Sequence, residues 1–368
     1  MANNSYGIGF KMKLAFYIMV KNEQAFASAL SDMLQEFADY IYVVDHRSSD
    51  NTVKIITKNN PSANVYTLQS LGYPQAELSN FFARKIFTET DSDFIIFIDA
   101  DEFLPFTSRD DLIRFLHDNR MYLAIYMHWN NLFPLGHSFN EGFSSVGISL
   151  NHRKLILSRA ITNINDFKIS QGNHTVTSLS YPLSIHDQDE YPLLHIPILS
   201  YEHLLLKVFK GVVALNNDYF NKKKKLGYHW YTMADQLLAN EMDSAQLKEI
   251  AFEYGGSVQT IQEEKKLQFC FPYIKDRKFH GYSTKTIIID ILGDLVNQDR
   301  NIAQSILRRM DIVVTNDQGK IILKKEYGYL YILSSIVIHY VGSLLPETVK
   351  CLFRALKKWF GARTLKGT

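Results

Sequence analysis

Asp99, Asp101 and Glu102 stand together where the apolar run FIIFID (94–99) ends. Three carboxylates this close repel one another unless a cation neutralises them or a solvent-facing turn relieves them. A pair such as Asp99 and Asp101 suits a hard divalent cation, which takes oxygen ligands and keeps positions for phosphate and water. Two other segments carry compatible chemistry: VKNE (20–23), with Asn22, and DHRSSDNT (45–52), with Asp45, Ser48, Asp50 and Thr52. Asp45 can accept hydrogen bonds from a nucleobase or ribose, while Ser48 and the turn backbone can fix a nucleotide.

These side chains meet only if the strands before them end at one edge of one sheet. LAFYIMV (14–20), YIYVVD (40–45), ANVYTL (63–68) and FIIFID (94–99) read as buried strands. Between them, residues 23–38 and 75–90 carry helix-period apolar positions, and a short helix is predicted near SDNTVKIITK. Strand and helix in alternation predict an α/β fold, a mostly parallel sheet flanked by helices. Ligands of such sheets bind outside the carboxyl ends of the strands, which is where Asp45 and Asp99 fall. From 120 to 210 the pattern is less regular, with short strands such as LAIYMHW and HRKLILS; beyond 215 it turns mainly helical.

Composition bounds the rest. The 368 residues suffice for one large domain or two ordinary ones, and 46% hydrophobic against 21% charged residues is a globular balance. A net charge of +2 is too small to suggest nucleic acid as an obligate partner, so any basic character is local. Cys270 and Cys351 show no metal-ligand spacing and suit a reducing compartment. LAFYIMV is too short for a signal peptide and is followed by KNE, which predicts a cytoplasmic chain. LYILSSIVIHYVGSLL (330–345) is read as a buried or interfacial helix. In ETVKCLFRALKKWFGARTLKGT (347–368), Val349, Leu352, Phe353, Leu356, Trp359 and Phe360 share one helical face, with Lys350, Arg354, Lys357 and Lys358 on another. That is the layout of a helix lying on an anionic membrane, or of one docked on its own domain. The lysine run in NKKKKLGYHW (221–230) marks a composition break. The expected organisation is an α/β domain over 12–215, a helical region over 216–346 and the basic tail over 347–368.

Taken in order, MVKNE, VVDHRSSDNT and IDADEF resemble the glycosyltransferases of GT-A fold, of the broad family 2 type. The last matches their DxD element. The resemblance covers residues 12–105 well and continues more weakly to about 211 through HWNNLF, HRKLIL, GNHTV and LLHIP. It implies that 12–215 is a nucleotide-sugar-binding catalytic domain, with a GT-A (Rossmann-like) sheet, a nucleoside-diphosphate sugar donor (a UDP-sugar foremost) and Mn²⁺ or Mg²⁺ bridging the donor phosphates. Neutralising the leaving diphosphate is the physical need such a metal meets. By analogy Asn22, Asp45, Ser48, Asp50 and Asp99 bind the donor. Asp99 and Asp101 ligate the metal, which His195 completes unless it is a core histidine.

A carboxylate or imidazole base for the acceptor is expected, with candidates His174 and, in HDQDEY, Asp187, Asp189 or Glu190; His174 and Asp189 lead. Lys154 and Lys207 are candidate phosphate ligands, and Trp129 with Phe133 a candidate sugar platform or else core. Arg47 departs from the family, in which a small residue, often glycine, is common there. No QxxRW element is present, which argues against a processive polymerase. The resemblance therefore implies an inverting, non-processive transfer to a glycan or lipid-linked acceptor. The setting it points to is bacterial surface polysaccharide or lipopolysaccharide assembly, at the inner face of the membrane. The alternative is a non-catalytic, membrane-associated binding or scaffold protein on the same fold.

Overall fold

LAFYIMV forms β1 (Leu14–Val20), a strand with every side chain buried. Its neighbours are β2 (Tyr40–Asp45), β3 (Asn64–Thr67) and β4 (Phe94–Ile98), joined through α1 (Gln24–Phe37), α2 (Thr52–Asn59) and α3 (Gln75–Glu89). All three crossovers give parallel pairs, and the register sets Val20 beside Asp45 and Ile18 beside Ile98. The carboxyl ends of β1, β2 and β4 therefore share one edge.

The computed structural model describes residues 11–68, 74–216, 233, 242–254, 258–259, 268–269, 271–275, 279, 313–314 and 321–322. The lysine run at 221–230, the apolar stretch at 330–345 and the basic tail at 347–368 lie outside them. Among the described residues no helix is long and apolar enough to cross a membrane.

Beyond β4 the chain adds the two-residue β5 (Glu102–Phe103), α4 (Arg109–Asp118), the long β6 (Ala124–Pro134) and β7 (Phe143–Ser158), the small β8 (Lys168–Ile169) and β9 (Val176–Thr177), and β10 (Ile185–His195). The central sheet runs β3-β2-β1-β4-β7-β6-β10-β5, with β11 (Val258–Gln259) and β12 (Gln268–Phe269) on β7. β8 and β9 form a separate ladder. The sheet is mixed but mostly of one direction, with only β5 and β7 running against the others. β7 is reversed because it returns from β6 through a short hairpin connection, which only an antiparallel pair allows.

Two compact units divide the chain. The first comprises Met1–Gln69, Pro74–Leu199 and Lys248–His280; the second comprises Ser70–Tyr73, Ser200–Leu247 and Gly281–Thr368. Described parts of the second are α5 (Tyr201–Asn216), with Leu204, Leu205, Leu206 and Val208 buried, and the ladder of Val313–Val314 with Ile321–Ile322.

The first unit's core lies between the sheet and its helices. α1 buries Phe26, Leu30, Met33, Leu34 and Phe37, the apolar positions its period predicts. On another helix, Phe82 of α3 packs on Tyr17 of β1 at 5.4 Å between ring centroids. Each such aromatic contributes about 2–3 kcal/mol by leaving water. Arg159, directly after β7, ties the end of α3 to the start of β4. Its guanidinium donates to the carbonyls of Ser92 (2.6 Å), Phe87 (2.8 Å) and Thr90 (2.7 Å). Arg159→Ala strands these carbonyls and is expected to cost roughly 3 kcal/mol, read as a lower urea midpoint at unchanged slope.

Candidate metal and nucleotide site

The two turns leaving β1 and β2 are laced together by side chains. Asn22, in left-handed conformation at φ 52° and buried, donates its N–H to Ser48 Oγ (3.0 Å) and accepts the Ser49 N–H (2.7 Å). Asp50 accepts the N–H groups of Gln24 (3.0 Å) and Thr52 (2.9 Å), and the Thr52 hydroxyl accepts the Glu23 N–H (2.8 Å). These bonds occupy amide groups at the starts of α1 and α2 that have no intrahelical partner. Asp45, at the end of β2 and 7% exposed, accepts the Ser48 N–H at 2.9 Å, which folds the loop over it. Ser48 and Asp50 thus shape the turn, and Asp45 is the carboxylate the turn encloses. Arg47 stands between them at φ 61°, a backbone state that favours glycine.

The second half of the site is the turn after β4. The Asp99 carbonyl accepts the Glu102 N–H (3.2 Å), and Glu102 Oε2 accepts the Asp99 N–H (2.7 Å), so the turn is closed from both sides. Asp99, with its side chain 32% exposed, is engaged on both oxygens: Lys154 Nζ lies 2.5 Å from its Oδ2, and Gln75 Nε2 3.5 Å from its Oδ1. Lys154, from β7, is 2% exposed and also lies 3.4 Å from Glu102 Oε1, an atom with no hydrogen-bond partner. Burial pushes the Glu102 carboxyl up to about 8, against the pull of the Lys154 ammonium. The same carboxylates hold the Lys154 ammonium charged despite its burial, above the usual lysine range.

His195 reaches this turn through the sheet. β10 runs parallel to β6, so its carboxyl end arrives at the site edge, where β5 pairs antiparallel with it and sets His195 opposite Glu102. Tyr254 C=O accepts from Asn131 Nδ2 (2.8 Å), which turns Asn131 Oδ1 toward His195 Nδ1 at 2.8 Å. A neutral ring donating from Nδ1 keeps its lone pair on Nε2, and Nε2 lies 3.6 Å from Asp101 Oδ2. Trp129 stacks on the ring at 4.1 Å and 22°, fixing its plane.

Asp101, Glu102 and His195 each offer one ligand atom, all within 4.8 Å of one another. Two carboxylate oxygens and an imidazole nitrogen form a donor set for Mn²⁺ or Mg²⁺, and Glu102 Oε1 is a buried acceptor with unused capacity. The residues fit such an ion. Among the metal ligands expected from the sequence, Asp101 and His195 are brought together, whereas Asp99 is engaged by Lys154 and Gln75. Glu102 takes the third place, and its adjacency to the DxD was the only signal for it.

The other candidates lie elsewhere. His174 is half-buried near the site and donates from Nδ1 to the Arg153 carbonyl (2.7 Å); desolvation, helped by the Lys154 charge, lowers its pKa to about 3. Asp189 and Glu190 are exposed in the irregular stretch of β10 between Gln188 and Leu193, and Asp187 pairs with His128 (2.8 Å) and Arg153 (2.5 Å). Trp129 and Phe133 are buried, 6% and 8% exposed, as core rather than as an open platform. Lys207 lies on α5 of the second unit.

No family model matches the chain, and no curated protein matches it. Solved structures do. S. aureus TarS 1-349 is 14% identical, with 86% of this chain and 98% of that chain covered at a TM-score of 0.34. The mannosyltransferase PcManGT of Pyrobaculum calidifontis, solved with GDP-Man and Mn²⁺, is 10% identical, covering 95% and 86% at a TM-score of 0.36. Glucosyl-3-phosphoglycerate synthase of Mycobacterium tuberculosis, with Mn²⁺ and UDP, is 12% identical, covering 50% and 72% at a TM-score of 0.31.

Asn131 contacts His195 without belonging to the Asp101, Glu102 and His195 group. Asn131→Ala leaves the imidazole tautomer and plane unfixed, and is expected to weaken Mn²⁺ binding by about 10- to 100-fold in calorimetry with the fold retained.

Proposed function

We propose that the protein is a metal-dependent glycosyltransferase, moving a sugar from a nucleoside-diphosphate donor, foremost a UDP-sugar, to a glycan or lipid-linked acceptor. The observation that carries this reading is the convergence of Asp101, Glu102 and His195 at the sheet edge that also holds the Asp45 turn. The two sites match the two ends of such a donor. The Asp45 turn, with its enclosed carboxylate, suits the nucleoside, and the Asp101 cluster suits a cation bound to the diphosphate. When bound, that cation would neutralise charge developing on the leaving diphosphate. Asn22 and Ser48 hold the nucleoside turn in shape.

The fuller reading is an inverting, non-processive transfer in bacterial surface polysaccharide or lipopolysaccharide assembly. The chain would act at the inner face of the membrane, held there by the basic face of 347–368. Its basis is the motif resemblance together with the sequence pattern of the tail. One observation favours a second reading, binding without turnover. His174 is too hard to protonate to serve as a base near neutral pH, and Asp189 is held in the irregular stretch of β10 rather than at the metal cluster.

Thermal melting with UDP, GDP and their sugars, each with Mn²⁺ or with EDTA, tests donor binding. One nucleoside series is expected to stabilise the protein by about 2.7 kcal/mol at a hundredfold excess over Kd. EDTA and Asp101→Asn should both abolish that shift; stabilisation that survives both removes the metal-site reading. Release of nucleoside diphosphate from the stabilising sugar then separates turnover from binding. For the tail, deletion of 347–368 is expected to abolish flotation with phosphatidylglycerol vesicles and leave donor binding unchanged. A truncated chain that still floats sets the anchor elsewhere.

A further inference from the structure

We infer that Lys154 is a built-in counter-cation that makes the site bind metal weakly by itself and metal together with a diphosphate strongly. The inference rests on the proposed donor site and concerns its charge balance. Asp99, Asp101 and Glu102 are gathered in one turn, and the Lys154 ammonium is wedged beneath them, 2.5 Å from Asp99 and 3.4 Å from Glu102. It is 2% exposed, so water screens it little, and Gln75 holds Asp99 on the opposite side.

The charge count gives the behaviour. In the metal-loaded site three carboxylates face one ammonium and one divalent ion, and the total is neutral. The count holds whether the metal meets Glu102 ionised or displaces its proton, because the loaded site has three carboxylates either way. A neutral loaded site accepts a diphosphate, whose oxygens complete the coordination sphere. Without the ammonium the loaded site keeps a net negative charge, which favours the metal and repels the diphosphate. Lys154 also occupies Asp99, so that Asp99 stays outside the metal's ligand set.

Lys154 is therefore a positioning residue whose removal moves two affinities in opposite directions, which a merely structural role does not do. Calorimetry on the full chain measures Mn²⁺ alone, then UDP at saturating Mn²⁺. Lys154→Met is expected to tighten Mn²⁺ binding by at least about tenfold and to weaken UDP binding by a similar factor. Lys154→Arg keeps the charge and should leave both within about threefold of the wild type by the same electrostatic argument. If Lys154→Met does not fold, the double variant Lys154→Met/Asp99→Asn decides. It replaces the buried ion pair by neutral groups, restores the charge count, and should return both affinities to near wild-type values. Mn²⁺ binding unchanged or weakened in Lys154→Met, or lost from the double variant, overturns the inference. The donor-site reading fails separately, if wild-type protein binds Mn²⁺ and Asp101→Asn binds it equally well.

Discussion

A lysine sealed under three carboxylates is what allows the turn after β4 to exist in its observed form. Holding an ionised Glu102 out of water beside the part-exposed Asp99 costs several kcal/mol unless both carboxylates have a partner. Lys154 supplies one to both, and the reciprocal Asp99–Glu102 backbone bonds supply the rest. That lysine comes from β7, the strand that sits at the centre of the mixed sheet between β4 and β6. The antiparallel strand is thus part of the site as well as of the core, because the β4–β7 pairing carries Lys154 toward the end of β4.

The geometry is otherwise a matter of register. Parallel pairing puts the ends of β1, β2 and β4 at one edge, and parallel pairing of β10 with β6 brings His195 to the same edge from nearly a hundred residues downstream. A shift of one residue in β5 against β10 would turn Glu102 or His195 to the other face of the sheet. Side-chain bonds between the loops then hold what the strands deliver. Asn22 with Ser48 and Ser49 joins the first two turns, and Asn131 orients the histidine.

Much of the first hundred residues was legible because local signals agree there. Continuous apolar runs of strand length alternate with helix-period segments, and the strands, helices and the turn-ending carboxylates fall where those patterns predict. Later positions were not legible for identifiable reasons. Lys154 sits in HRKLILS among residues that read as an ordinary strand, and its burial depends on pairing with β4, which no local pattern encodes. Glu102 reads as part of an acidic turn, yet its fate is decided by β10, over eighty residues later in the chain. His195 was open between ligand and core because both environments are apolar, and only the Asn131 bond and the nearness of Asp101 distinguish them. Asn131 itself lies in HWNNLF, a segment that carries the weaker part of the resemblance but nothing local that pairs Asn131 with His195.

The Tyr254 carbonyl has a bearing on how the protein is made. It is the acceptor that turns Asn131, and through Asn131 the ring of His195, yet it lies after α5 in the chain and returns to the first unit with Lys248–His280. A chain released only as far as residue 216 holds Asp101, Glu102 and His195 but lacks the carbonyl that turns Asn131 toward the histidine. The bond that turns Asn131 toward His195 therefore forms only once the segment around residue 254 has packed against β6.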